Sequence, residues 1–287
     1  MAWGQTSMVT FSFELFPPAK PEGIKNVVAT AKTLSSFAPD MISITYGAGG
    51  TGRERSARLV AALHGNDFPP ITAHITVAGQ SKHDVIHQME EWQQHGVKRF
   101  VALRGDMPNM KRPFTPHDDG FTSALDLITY LRLHHAEAIY AGAYPEGHPE
   151  SPSLEAELDH LMAKQDAGAT ALITQYFFDI NNFLRFRDKV VARGITIPLI
   201  PGVLPIGHFE KIQKFSASCG AHIPDQLKIR FAGLENDPEA MAMMGACVGY
   251  ELCAQLAHEA VPSIHLYTLN RSDISTTICR MFQGEPQ

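Results

Sequence analysis

The chain has 287 residues, 44% hydrophobic and 19% charged, with a formal net charge of −6 at pH 7. This composition supplies a sizeable core and excludes a disordered chain, and an acidic balance without a dense Lys/Arg cluster gives no footprint for nucleic acid or an anionic membrane. The length suits an α/β barrel, which runs to roughly 250 residues as one unit, and residues 1–287 are read as a single (β/α)8 catalytic domain.

Residues 9–16 read as a strand, and Ile24, Val27, Val28, Ala31 and Leu34 then share one helical face, completing a first βα unit. The second strand is 41–46, and Thr51-x-x-Glu54 has capping-box form at the start of the next helix. The third strand, 71–77, precedes a helix opened by Ser81-x-x-Asp84, with Val85, Met89 and Trp92 at helical spacing. Strand four, 99–103, is followed by a long connection, 106–120, and a helix through Leu125, Ile128 and Leu131. Strand five (138–143) leads to a helix at 154–167, strand six (171–177) to one at 183–193, and strand seven (197–204) to one at 208–218. A helical insertion over 239–258 precedes strand eight (263–269) and a last helix, 272–281. Eight successive βα units predict a closed parallel TIM barrel with right-handed crossovers.

The opening residues lack the basic and apolar regions of a signal peptide, and no uninterrupted apolar run approaches the ~18 residues of a membrane span. Cys219, Cys247, Cys253 and Cys279 have no C-x-x-C spacing and are read as free thiols of a reducing cytoplasm. Fourteen histidines form no H-E-x-x-H set, so no metal is expected.

Active sites of such barrels lie at the C-terminal strand ends. That selects Glu14, Thr45-Tyr46-Gly47, His74, Arg104-Gly105-Asp106, Tyr144, Gln175 and Arg271. Glu14 stands among aromatic sequence neighbours and has two readings: a buried carboxyl with a raised pKa, suited to general acid catalysis, or a rim carboxylate paired with Lys or Arg. Gly47 to Gly52 formally match G-x-G-x-x-G, which keeps open a flavin-free NAD(P)-dependent dehydrogenase of Rossmann type. Against it, Val77-Ala78-Gly79 offers no acidic residue at the next strand end, and a tight turn or close ligand approach also explains the glycines. Arg104-Gly105-Asp106 suits recognition of a heterocycle or phosphate, or is a surface loop.

Taken in order, these strand ends resemble the methylenetetrahydrofolate reductase family. The series comprises Phe13-Glu14-Leu15-Phe16-Pro17-Pro18, Thr45-Tyr46-Gly47-Ala48-Gly49-Gly50, Ala73-His74, Ala102-Leu103-Arg104-Gly105-Asp106, Tyr144-Pro145-Glu146-Gly147-His148-Pro149-Glu150, Ile173-Thr174-Gln175-Tyr176-Phe177-Phe178-Asp179, Pro201-Gly202-Val203-Leu204-Pro205 and Tyr267-Thr268-Leu269-Asn270-Arg271. The resemblance implies non-covalent FAD, reduced by NADH or NADPH in a ping-pong cycle that converts 5,10-methylenetetrahydrofolate to 5-methyltetrahydrofolate. A catalytically silent folate-binding barrel is the other reading it allows. It further implies a homo-oligomer, and a catalytic barrel without the S-adenosylmethionine-responsive domain of eukaryotic members.

By motif position, the resemblance makes Glu14 the acid that protonates N10 of the folate and Asp106 the carboxylate near flavin and pterin. Gln175 matches the residue that bonds the pterin and meets the nicotinamide, Phe215 an aromatic that stacks on substrates, Arg271 a folate contact, and Thr45 a nicotinamide neighbour. The positions matching FAD contacts are Tyr46, Ala48, His74, Arg104, Gly105, Asp106, Tyr144, His148 and Lys164, with Ala124, Glu157 and His160 in segments that depart from the family pattern. Leu15 stands where an aromatic is commoner, and the connection from Met107 to Gly120 is unlike the usual one.

Overall fold

Alternation along the first strand, β1 (Thr10–Leu15), sets the architecture. Phe11, Phe13 and Leu15 are at most 1% exposed and join the core shared with the helices, where Phe11 meets Phe282 edge-on at 5.6 Å. Ser12 and Glu14 point the other way, into the barrel, because side chains alternate with period two along a strand. The structure is a computed structural model that describes residues 9–46, 52–65, 67–107 and 114–283.

After β1 come α1 (Ile24–Ser35), β2 (Ile42–Ile44), α2 (Arg53–Ala62), β3 (Ile71–Thr76), α3 (Lys82–Gln94), β4 (Arg99–Leu103), α4 (Ala124–Leu133) and β5 (Ala138–Ala143). There follow α5 (Leu154–Ala167), β6 (Ala171–Thr174), α6 (Ile180–Ala192), β7 (Leu199–Ile200), β8 (Gly202–Val203), α7 (Phe209–Cys219), α8 (Asp225–Phe231), α9 (Pro238–His258), β9 (Ser263–Tyr267) and α10 (Ser272–Gln283). Every pairing is parallel, and the order β7-β6-β5-β4-β3-β2-β1-β9-β8 places successive strands side by side with no reversal. A Rossmann sheet requires such a reversal to form its dinucleotide crevice. The structure therefore removes the Rossmann alternative.

The expected seventh strand is two pieces divided by Pro201, which has no N–H to donate. β7 pairs with β6 and β8 with β9, so the nine strands act as eight staves. Side chains close the seam: Gly202 N donates to Thr174 Oγ1 at 2.9 Å, and Tyr267 Oη donates to the Thr174 carbonyl at 2.7 Å. A Cβ on Gly202 would lie 2.2 Å from that carbonyl, so only glycine permits the approach.

Ser81 caps α3 as expected, accepting from Asp84 N at 3.1 Å. The N-cap of α2 is Gly52, without a side-chain cap bond; Thr51 of the expected capping box lies outside the described residues. The insertion before the last strand is two helices, α8 and α9, rather than one. α9, at 21 residues, is long and apolar enough on average to cross a membrane by length and composition, although Glu239 and Glu251 interrupt its apolar run and it packs on α10, α6, α8 and β8.

Candidate functional site

Ser12 and Glu14 face His265 and Tyr267 across the β1–β9 pairing, since Ser12 is in register with His265 and Glu14 with Tyr267. His265, 1% exposed, shares a hydrogen bond with Ser12 through Nδ1 at 2.8 Å and turns Nε2 toward Glu14 Oε2, 3.8 Å away. On the other side His74 Nε2 lies 3.4 Å from the same oxygen. The pair is close but misaligned, because the buried His74 Nε2 has no hydrogen-bond partner among the described residues. Burial pushes the His74 imidazole below its ordinary range, outweighing the opposing pull of the Glu14 carboxylate, and His265 adds to the lowering.

The rim reading, with Glu14 paired to a Lys or Arg, is not what the structure shows. The Glu14 side chain is 18% exposed, its company is two imidazoles, and no Lys or Arg pairs with it among the described residues. Its backbone is clamped, for Thr268 Oγ1 donates to the Glu14 carbonyl at 2.6 Å. Just beyond, the Asn270 side chain bridges Phe16 N and O at 2.9 and 2.7 Å.

Glu14 and His74 open into a mouth pocket of about 390 Å³, lined also by Thr45, Tyr46, Asp106, Tyr144, Gln175, Phe215, His265, Tyr267 and Leu269. That size and mixed lining fit a small-molecule site. Gln175 is anchored by its Oε1, which accepts Tyr176 N–H at 3.0 Å and leaves the amide nitrogen to donate elsewhere. Phe215, 50% exposed on α7, stacks on Tyr176 with centroids 5.9 Å apart. Tyr46 Oη donates to Gln80 Oε1 at 2.9 Å.

A second pocket, about 360 Å³, shares Leu103, Gly142 and Tyr144 with the first and runs between β4, β5 and α5. It holds Arg104, Ala124, His148, Glu157, His160 and Lys164. Glu157 and Lys164 lie two turns apart on α5, both buried, and Lys164 Nζ donates to the Gly142 carbonyl at 2.8 Å. Burial lowers Lys164 to about 8, against the pull of Glu157, and lowers His160 to about 4. Burial also raises Glu157, whose Oε1 has no partner among the described residues. Arg104 is paired with Glu150 and lies over the Phe114 ring at 5.2 Å.

The remaining sequence-selected residues fall elsewhere. Gly105 lines neither pocket; its φ of +77° makes the turn after β4, and a Cβ there would sit 2.8 Å from Thr76 Cβ. The Arg104 carbonyl just before it accepts from Val77 N and Ala78 N. Arg271 lies in a third cavity that touches the mouth pocket through Leu269. Ala48 lies outside the described residues. Sequence reasoning passed over Ser12 and His265; the period-two rule could have found Ser12, two residues before Glu14 on the same strand face, whereas His265 follows from its register with Ser12 across the β1–β9 pairing.

A family model described as methylenetetrahydrofolate reductase matches residues 3–283. A 5,10-methylenetetrahydrofolate reductase of Pectobacterium carotovorum subsp. carotovorum is 34% identical over 278 residues, covering 97% of this chain and 91% of that protein. An Arabidopsis thaliana protein named methylenetetrahydrofolate reductase (NADH) 1 is 30% identical over 278 residues, which are 93% of this chain and 46% of that one. A solved structure from Clostridium thermocellum, described as binding two copies of 5-methyl-5,6,7,8-tetrahydrofolic acid, superposes with a TM-score of 0.63 at 14% identity, covering 96% and 94% of the two chains. At that identity the likeness concerns the barrel alone. With the match of family and curated relatives over nearly its whole length, the chain belongs to the methylenetetrahydrofolate reductase family.

Proposed function

We propose that the protein is an FAD-dependent reductase that takes a hydride from NADH or NADPH and converts 5,10-methylenetetrahydrofolate to 5-methyltetrahydrofolate. The observation that carries this is the joining at Tyr144 of two compartments with different chemistry, one built around a carboxyl group and one around cationic donors, of which Lys164 is buried. The second compartment fits a flavin dinucleotide: Lys164 and Arg104 offer charge to a diphosphate, and the orphaned Glu157 Oε1 can accept from a ribose hydroxyl. Bound FAD supplies a two-electron carrier that accepts a hydride from the nicotinamide and releases it to the folate methylene carbon.

The chain's own residues supply the proton and the placement. Opening the five-membered ring of the folate requires a proton at N10, and Glu14 is the acid on the pocket floor. His74, kept neutral by burial, does not hold the Glu14 proton away as an imidazolium would. His265, fixed by Ser12, limits where the carboxyl can turn. Gln175 offers its amide to the pterin, and Phe215 covers the pocket from α7. Nicotinamide and folate both need access to this mouth, which is consistent with their entering in turn, as ping-pong kinetics require.

Anaerobic spectroscopy tests the reading. Protein reconstituted with FAD should lose its visible flavin absorbance on addition of NADH or NADPH and regain it on addition of 5,10-methylenetetrahydrofolate. A colourless protein that takes up no FAD would overturn it.

A further inference from the structure

β1 has to hold Glu14 at the barrel mouth with only Leu15 of the strand left beyond it. Phe16 comes next, and then Pro17 and Pro18, neither of which has an N–H to donate. On the β2 side the strand end is secured, since Thr45 N donates to the Leu15 carbonyl at 2.9 Å. On the β9 side the register stops where Glu14 meets Tyr267. The Glu14 carbonyl and both polar groups of the Phe16 backbone therefore have no strand opposite them.

Side chains of the turn after β9 take over from the ladder. Thr268 Oγ1 donates to the Glu14 carbonyl at 2.6 Å and accepts from Asn270 N at 3.2 Å. The Asn270 amide then accepts Phe16 N–H at Oδ1, 2.9 Å, and donates through Nδ2 to the Phe16 carbonyl at 2.7 Å. Reaching this position takes an unusual backbone, with Leu269 and Asn270 in succession in the left-handed region at φ +50° and +58°. Asn visits that region readily and Leu does not. Such strain persists only where the surroundings over-determine it and is concentrated at functional sites. Here the two bonds from Asn270 to Phe16 hold the turn, and the turn puts Leu269 in the wall of the mouth pocket beside Glu14.

Resting on the folate reading above, we propose that Asn270 is the positioning residue of the catalytic acid: its side-chain amide, standing in for a strand, fixes the end of β1 so that the Glu14 carboxyl meets the folate nitrogen within hydrogen-bond reach. Asn270 lines neither the mouth pocket nor the compartment of Lys164, so it acts through Glu14 and not on a bound molecule. A proton passes only between groups at hydrogen-bond distance, and a small displacement of a reacting group slows a reaction steeply. Reduction of the flavin by the nicotinamide takes no proton from Glu14. The bridge therefore matters to one half-reaction and not to the other.

The experiment follows each half-reaction by anaerobic stopped-flow in the FAD-loaded parent enzyme, Asn270→Gly, Glu14→Gln and the double variant. Glycine keeps the left-handed backbone accessible and removes both bonds to Phe16. Reoxidation by saturating 5,10-methylenetetrahydrofolate should slow roughly tenfold in Asn270→Gly, inside the ~10²-fold that a 1 Å misplacement can bring, while reduction by NADH or NADPH stays within about twofold of the parent. In the double variant the reoxidation rate should match that of Glu14→Gln to within about twofold, because residues that act as a unit are not additive. Asn270→Asp keeps the acceptor for Phe16 N–H and loses the donor to its carbonyl; it should show the same split at about threefold, and it replaces the glycine variant if that one does not fold. A further slowing of the double variant by the full single-variant factor would make the role of Asn270 structural and overturn the inference. So would an unchanged reoxidation rate in Asn270→Gly, or equal losses in its two half-reactions. A parent enzyme whose flavin is reduced by the nicotinamide but not reoxidised by the folate would overturn the folate reading, and this inference with it.

Discussion

Around Glu14 the neighbours are a neutral His74, a serine-bonded His265 and the tyrosine of the seam, whereas the compartment of Lys164 holds a buried carboxyl, a backbone carbonyl and three further basic side chains. Both regions lie at the same end of the same barrel, and burial acts on both. In the first it removes competing charge from the neighbourhood of one carboxyl group, which suits the movement of a proton. In the second it leaves an amine poised near neutrality, which suits recovery of full charge when an anion arrives. On the proposed function, the same physical cause prepares chemistry on one side of Tyr144 and binding on the other.

The largest effect expected from breaking this division is at Glu14. Glu14→Gln keeps the shape but cannot supply a proton, and steady-state turnover with folate should fall by at least ~10²-fold, the low end for general acid catalysis. Next comes Lys164→Gln, which should weaken FAD binding about tenfold, the loss of one charge-assisted hydrogen bond. The pH dependence of that binding sharpens the point. Lys164 in the free protein titrates near 8, and a bound diphosphate raises its pKa by favouring the charged form. Affinity should therefore decline as pH rises above about 8, by at most about tenfold per pH unit, and become flat there in Lys164→Gln. Fluorescence titration with FAD across that range reads both.

The smallest expected effect belongs to the seam beneath both regions. Tyr267→Phe leaves the Thr174 carbonyl without its hydroxyl donor and should cost about 1 kcal/mol, seen as a fall in Tm of about 2 °C. A larger fall would mean that the seam does more to hold the barrel than one hydrogen bond accounts for.

Much of the barrel was legible because its signals are local. β4, β5 and α5 begin and end where the sequence pattern puts them, since a run of apolar or periodic residues needs no distant partner to be recognised. The split of the seventh strand was harder to read, although Pro201 and Gly202 stand in plain sight: their meaning depends on Thr174 and Tyr267 across the seam. α8 escaped because seven residues give too few turns for a period.

The site shows the same division. Strand-end positions located Glu14, His74, Tyr144 and Gln175, which the barrel brings into one pocket. The setting of Glu14 was legible only in part because Phe13 and Leu15, adjacent in sequence, face the helices, while Ser12 on β1 and His265 on β9 share its side of the wall. Arg271 carried no sequence signal that it would sit in a separate cavity, since that depends on how α7 and the loop after β9 pack together.

The most direct measurement separates the two half-reactions in anaerobic stopped-flow, with Glu14→Gln and Lys164→Gln each loaded with saturating FAD. The account predicts that Glu14→Gln is reduced by NADH or NADPH at close to the parent rate yet is reoxidised by 5,10-methylenetetrahydrofolate at least ~10²-fold more slowly. Lys164→Gln, once loaded, should show no such split. Equal losses in both half-reactions of Glu14→Gln would contradict the account and make Glu14 a flavin-holding or structural residue.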